Sequence, residues 1–396
     1  MKTLVVTEEY GKLTTGLFRV WSLLCAHEAH GRNAELLVNH EHWLDQATAD
    51  RLAGLSGVHR FPLALPQTIA ARVSGLLGRN RLAGVLRFAL RNLLNLLYAP
   101  MVAIWLTILV RRQGITHLVC HHGGWPAGPF VRWAIMASRL MGVDKTILVI
   151  HSFPAPYSRL LKGFQRIEER LIGLCASEIV TVSEAAAAAL EQRNFRKQIR
   201  VIHNGMQASR PSRQAAQAPA GDQARPLIGF LGALVPDKGA HVLLDALLRL
   251  TPGGRVALAG PGQAEYTAHL RAHPATVTWE VSFVGELDDV SSFLQQIDIL
   301  VVPSIRFEAF GMVILEAMEH CKPVICSDFG GMKEIVVNGE TGMVVPAGDP
   351  DQLAAAIATL EADPALRKHM GTAGHARLKK CFTVERMAAQ YAALLS

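Results

Sequence analysis

Eleven short apolar runs, none longer than eight residues, recur along this chain, and most are separated by helix-compatible stretches. The first series is TLVV (3–6), ITHLVC (115–120), KTILVI (145–150), EIVTV (178–182) and IRVIH (199–203). The second is LIGFLGAL (227–234), RVALAG (255–260), VSFVG (281–285), IDILVVPS (297–304), KPVICSD (322–328) and GMVVP (342–346). Runs this short and this continuously apolar read as strands buried on both faces, as in a parallel sheet covered by helices. A helix is predicted over residues 17–30, ended by Gly31. Strand and helix alternating in two blocks predict an α/β protein of two doubly wound, Rossmann-like domains facing a cleft. The length, 396 residues, also exceeds what one hydrophobic core usually supports.

The break between the series is QASRPSRQAAQAPAGDQARP (207–226), too rich in Ala, Gln, Pro and Ser to build a core. The expected organisation is therefore a domain over 1–206, a linker over 207–226 and a second domain over 227–380. A C-terminal helix over 381–396 is expected to return across the boundary. The six cysteines contain no C-x-x-C pair and read as reduced thiols. With only a three-residue apolar run before Glu8 and Glu9, the N-terminus does not read as a signal peptide. A cytoplasmic protein is expected.

Charge is distributed unevenly. Residues 1–205 carry 24 Lys and Arg against 13 Asp and Glu, whereas 206–396 carry 16 against 20. Residues 51–143 hold eleven arginines and no acid. Such a one-sign surface points to an anionic partner. We read that partner as an anionic membrane surface, bound peripherally on its inner face, and expect no nucleic acid. Within this stretch lies the uncharged run 93–110, LLNLLYAPMVAIWLTILV, interrupted by Asn95 and Pro100. By length it is a marginal membrane span; a buried or interfacial helix fits the sheet-forming runs on either side better.

The chemistry concentrates in RFEAFGMVILEAMEHCKP (306–323). Glu308 falls in the loop after an apolar run, where ligands sit in doubly wound sheets. Gly311 opens the next helix, so the backbone N–H groups of residues 310–313 form an anion site. Glu316, in that helix's second turn, suits a ribose diol. The histidines, including His117, His121 and His122, form no closed metal-ligand set, and 121–124 reads as a loop.

Taken with Thr181-Val-Ser-Glu184, Asn204-Gly205, FLGALVPDKG (230–239), FVGELDD (283–289) and GGMKEIVVNGETGMVVPAGDPDQLAAAI (330–357), this stretch resembles a known family over nearly the whole chain. The family is the retaining nucleotide-sugar glycosyltransferases of family four, of GT-B fold. The resemblance implies that Glu308 contacts the transferred sugar beside the amides of Phe310, Gly311, Met312 and Val313. It implies that Glu316 binds the ribose, Lys238 neutralises the donor diphosphate, and Leu287 helps seat the base. It also implies that His151 faces the reacting sugar and that Gly16 lies close to phosphate. Each has a plainer reading: Glu308 as a helix-terminus charge, Lys238 as a solvated lysine, His151 as a structural histidine, Gly16 as a turn glycine. The family often has arginine after the glycine at 232; here it is Ala233, which leaves Lys238 and the helix amides, with Arg306 or an arginine of the first domain, to meet the phosphate charge.

The function implied is retaining transfer of a sugar from a nucleotide-diphosphate donor to a glycan or lipid-linked acceptor, in polysaccharide or lipopolysaccharide synthesis. It needs no metal and no cofactor beyond the donor. The alternatives are a non-catalytic nucleotide-sugar-binding or scaffold protein of the same fold, and an epimerase.

Overall fold

The computed structural model describes residues 2–7, 34–38, 57–60, 69, 81–207, 225–306 and 308–396. The chain divides into two compact units. Unit 1 comprises Met1–Val182, Ala187–Ile202 and Ala388–Ser396, and unit 2 comprises Ser183–Ala186 and His203–Met387. Gly16, the helix expected over 17–30 and most of the stretch 207–226 lie outside the described residues.

Unit 1 is built on seven parallel strands: β1 (Thr3–Thr7), β2 (Ala34–Val38), β3 (Gly57–Arg60), β4 (His117–His122), β5 (Lys145–Ile150), β6 (Glu178–Thr181) and β7 (Ile199–Val201). Their order is β3-β2-β1-β4-β5-β6-β7, which reverses beside β1. Thr3–Thr7 pairs with Ala34–Val38 on one side and with His117–His121 on the other. A central strand covered on both faces must be apolar, and Leu4, Val5 and Val6 are buried.

Strands β2 and β3 were not among the expected runs. In β2 the buried Glu35 accepts from Lys2 Nζ at 2.6 Å and from the His59 ring at 2.7 Å. Burial opposes ionisation of Glu35, but those two hydrogen bonds outweigh it and hold the carboxyl below its ordinary value. The strand thus tolerates an acid that hides it from an apolar pattern. The expectation of a loop over 121–124 is corrected for His121 and His122, which complete β4.

The helices of unit 1 are α1 (Arg81–Gln113), α2 (Pro129–Met141), α3 (Lys162–Cys175) and α4 (Glu184–Glu191); the partition assigns the first turn of α4 to unit 2. Helix α2 starts with proline in its first turn and ends at Gly142, φ 75°, the left-handed conformation that closes helices. Helix α1 runs unbroken through Asn95 and Pro100. Pro100 is exposed, so the hydrogen bond it cannot make falls on the solvent side. Leu93–Gln113 is long and apolar enough to cross a membrane. However, β3 and β4 at the two ends of α1 belong to one sheet, so the helix starts and finishes on the same side. Val102, Leu106 and Val110, one face at helical spacing, are buried in the core with Phe130 and Ile135 of α2.

Unit 2 repeats the design with β8 (Leu227–Leu231), β9 (Arg255–Ala259), β10 (Glu280–Gly285), β11 (Ile299–Val302), β12 (Val324–Ser327) and β13 (Gly342–Val345), all parallel. The order is β10-β9-β8-β11-β12-β13, again reversing at the first strand. Its helices are α5 (Ala240–Leu247), α6 (Ala264–Arg271), α7 (Ala275–Thr278), α8 (Val290–Gln296), α9 (Met312–Glu319), α10 (Met332–Ile335), α11 (Pro350–Ala362), α12 (Pro364–Cys381) and α13 (Val384–Leu395). Asp349 and Asp363 cap α11 and α12, each followed by proline. The partition runs through α13: its residues to Met387 fall in unit 2 and those from Ala388 in unit 1.

The packing of α1 gives a direct contrast. Leu106→Ala should destabilise unit 1 by about 3 kcal/mol, as for a filled core site. Ile104→Ala, two residues away and exposed, should cost under about 0.5 kcal/mol. Urea denaturation of both variants checks this; equal losses would mean that α1 is packed on another face.

Candidate functional site

In unit 2 the strand order reverses between β8 and β11, where a doubly wound sheet opens a crevice at its carboxyl edge. Two loops leave the sheet there. One follows β8 through a single turn of 3-10 helix, Pro236–Lys238, to Gly239. The other follows β11 from Pro303 to Gly311. Backbone bonds join them: the N–H groups of Ile305 and Arg306 both donate to the Asp237 carbonyl, at 2.9 and 3.2 Å. Gly239 permits this closeness, with φ 72° and its Cα so near Pro303 that a Cβ would stand 2.0 Å from the Pro303 carbonyl oxygen.

Across this seam Lys238 Nζ donates to Glu308 Oε2 at 2.5 Å. The pair is part-buried, with 29% of the lysine and 16% of the glutamate side chain exposed. An incoming ligand can therefore reach both charges. Ser304, on the same loop, is buried, and its hydroxyl has no partner among the described residues. Arg306 is exposed.

The chain then enters α9 through Gly311, φ 104°, a left-handed conformation that favours glycine. No side chain caps α9, and Met312 and Val313 in its first turn are half-buried, so their N–H groups remain available to an anion. Glu316, one turn on, is 4% exposed. The Phe310 ring is buried, stacked on His203 at 5.8 Å and edge-on to Phe382 at 6.0 Å. Only its backbone is left for a ligand.

Sequence reasoning missed Glu334. Its carboxylate accepts from the N–H of Glu184 and of Ala185, both at 3.0 Å, and bonds the His203 ring at 2.9 Å. Burial works against the charged form, but these bonds prevail and hold Glu334 below its ordinary value. It anchors the start of α4 to the loop holding His203. The signal was the GGMKEI string, which carries no spacing rule of its own.

Leu287 follows edge strand β10. It lines a groove of about 300 Å³ that runs from Leu227, Arg255 and Glu280, at the amino ends of their strands, to Ser292 and Gln296 of α8.

In unit 1, His151 follows β5, and its Nε2 lies 2.9 Å from His121 Nδ1 on the neighbouring strand. The rings stack with centroids 5.2 Å apart, and Tyr391 closes on His121 at 6.4 Å. Two imidazoles at that distance share one N–H, one ring donating and the other accepting. Burial pushes His121 down to about 3. Burial, reinforced by His121 and His122, likewise lowers His151. His151 Nδ1 has no partner among the described residues. The adjacent His122 accepts from Gly128 N–H at its Nε2, so its Nδ1 carries the proton and donates to the Gly124 carbonyl at 2.6 Å. Burial lowers it to about 4. Among the described residues no three His, Cys, Asp or Glu side chains are arranged to hold a metal ion.

Comparison with known proteins adds independent findings. Residues 212–377 match the family described as glycosyl transferases group 1, and residues 46–210 match glycosyltransferase family 4. The lipopolysaccharide core biosynthesis glycosyltransferase LpsE of Rhizobium meliloti is 32% identical over 267 residues, which cover 67% of this chain and 74% of that protein. The D-rhamnosyltransferase WbpZ of Pseudomonas aeruginosa is 30% identical over 276 residues, covering 67% and 70%. The crystal structure of Anabaena HepE in complex with UDP superposes with TM-score 0.71 at 20% identity, covering 100% of this chain and 99% of that one, a likeness of fold.

The histidines predict an acid response. A folded-state value below the ordinary 6.5 means that the unfolded chain takes up the proton first, so stability falls as pH drops from 6.5 toward 3. For His121 alone the slope approaches about 1.4 kcal/mol per pH unit. Thermal melts between pH 7 and 4 should show this loss, and His121→Asn should reduce it. A wild-type curve flat over that range would contradict the neutral pair.

Proposed function

The chain belongs to the group 1 glycosyltransferases of GT-B fold, and from that premise we propose that unit 2 binds a nucleoside-diphosphate sugar whose sugar passes, with retained anomeric configuration, to a glycan or lipid-linked acceptor. The observation that carries this reading is the Lys238–Glu308 pair at the strand-order reversal. There a flexible ammonium can turn from the carboxylate to a diphosphate, and the amides at the start of α9 can take further negative charge. Glu308, released from the lysine, is then free to accept from hydroxyls of the transferred sugar. Glu316 would hold the ribose, and Leu287 would lie toward the base. His151, with Nδ1 free of any partner among the described residues, keeps the role toward the reacting sugar that the family resemblance implies.

In this reading the bond between anomeric carbon and phosphate oxygen breaks as the acceptor oxygen bonds the same carbon. The departing β-phosphate oxygen takes the acceptor's proton. Lys238 and the amides stabilise the charge that develops on the diphosphate, which is where preorganised donors act most strongly. With Ala233 in place of the usual arginine, Lys238 carries a larger share. No cofactor beyond the donor and no metal take part. Two relatives are named for lipopolysaccharide core biosynthesis and for D-rhamnosyl transfer, which supports a surface glycan as the acceptor.

Turnover of nucleotide sugars, with and without a glycan acceptor, tests the reading. Transfer should require acceptor, persist with a chelator and give a product of unchanged anomeric configuration by NMR. Lys238→Ala should lower kcat/KM by about 30- to 1,000-fold, the loss of one electrostatic donor. Binding without turnover would favour the non-catalytic alternative, and acceptor-free conversion of the sugar an epimerase.

A further inference from the structure

Helix α1 is apolar on two faces. Its buried face is the Val102–Leu106–Val110 row, but Leu93, Leu97, Met101, Ile104 and Ile108 form a second row at three- and four-residue spacing, 46–63% exposed. This row ends at Arg111 and Arg112, both exposed. Helix α3, outside the region that charge alone had singled out, repeats the pattern. Leu160 just before it, then Phe164, Ile167, Leu171 and Leu174, are 47–89% exposed at helical spacing, beside exposed Arg159, Lys162, Arg166 and Arg170. A surface helix normally turns its second face polar, and two such exceptions flanking α2 mark an interaction surface.

The patches share one layer. The connections β3 to β4, β4 to β5 and β5 to β6 all advance across the sheet in the same direction, so right-handed crossovers place α1, α2 and α3 on one face. Helix α2 packs against both of the others, and Arg139 on it donates to the Leu174 carbonyl at 2.6 Å. Acids are nearly absent. Between Arg81 and Ala176 the sequence has only Asp144, Glu168 and Glu169. The two glutamates are buried against Arg132 and Arg193, and Asp144 sits in the turn before β5.

We propose that the outer faces of α1 and α3 are a docking surface for an anionic lipid leaflet, with the apolar rows dipping into the acyl boundary and the basic side chains reaching headgroup phosphates. Long basic side chains flanking apolar rows suit an interface that is oily below and charged above. The α1 row from Leu93 to Ile108 spans roughly 22 Å, lying along the surface as a monotopic helix does. A second copy of the chain fits poorly, because it would bring like charges together.

Flotation of the full chain with phosphatidylcholine vesicles, and with vesicles that also contain phosphatidylglycerol, tests this without substrate and so independently of the transfer reading. The chain should float with the anionic vesicles and not with the neutral ones, more weakly at high salt, since each basic group contributes roughly fivefold. Leu97→Gln with Ile104→Gln on α1, and separately Phe164→Gln with Ile167→Gln on α3, should each weaken binding at least roughly tenfold. Arg166→Glu with Arg170→Glu should do the same. All these side chains are exposed, so thermal melts should stay near wild type; the second helix gives an independent reading if one variant misfolds. Equal binding to both vesicle types, or none, overturns the proposal. So does self-association that the same substitutions abolish while vesicles go unbound.

Discussion

The hydrogen-bonded seam between the loop after β8 and the loop after β11 is the constraint on which the candidate site rests. The Asp237 carbonyl takes both N–H groups of Ile305 and Arg306, and Gly239 lies against the Pro303 carbonyl. Those contacts fix how the backbones of the two loops that carry Lys238 and Glu308 lie against each other. Because they join the two strands flanking the reversal, they open the pair toward the carboxyl edge. The same loop then turns through Gly311 to present the first amides of α9, so cation, carboxylate and backbone donors arise from one local arrangement. Donors held by backbone contacts in this way have the preorganisation that transition-state stabilisation requires.

In unit 1 the paired histidines depend on burial. His121 and His151 share a proton between adjacent strand ends, and burial keeps both neutral. Glu169 is locked inward by Arg193 and the Trp125 indole, whereas exposed basic side chains flank the apolar rows of α1 and α3. On the proposed reading, with a glycan or lipid-linked acceptor, a basic, apolar outer layer would hold the chain beside it.

Much of this was legible in the sequence because the strands are buried on both faces. KTILVI and IDILVVPS announce β5 and β11 without help from neighbours, and the family motifs bring Lys238, Glu308 and Glu316 forward by name. What stayed hidden depends on partners distant in sequence. Strand β2 contains Glu35, acceptable only because Lys2 and His59 meet it. His121 and His122 looked like loop residues because polar rings end an apolar run, yet their bonds to His151 and to the Gly124–Gly128 turn settle them in β4. The lysine–glutamate pair joins residues 70 positions apart. The exposed row on α3 escaped notice because Glu168 and Glu169 interrupt its apolar pattern, and only their burial shows that they do not belong to the surface.

In the proposed reading Glu308 holds Lys238 until a diphosphate displaces it. Calorimetric titration of wild type and Glu308→Gln with UDP, ADP and GDP tests this most directly, because the free nucleotides lack the sugar that Glu308 would contact. Removing a competing carboxylate from the lysine should tighten binding of the preferred nucleotide by about two- to fivefold, the worth of a partly exposed ion pair. Unchanged or weaker binding in Glu308→Gln would contradict the account.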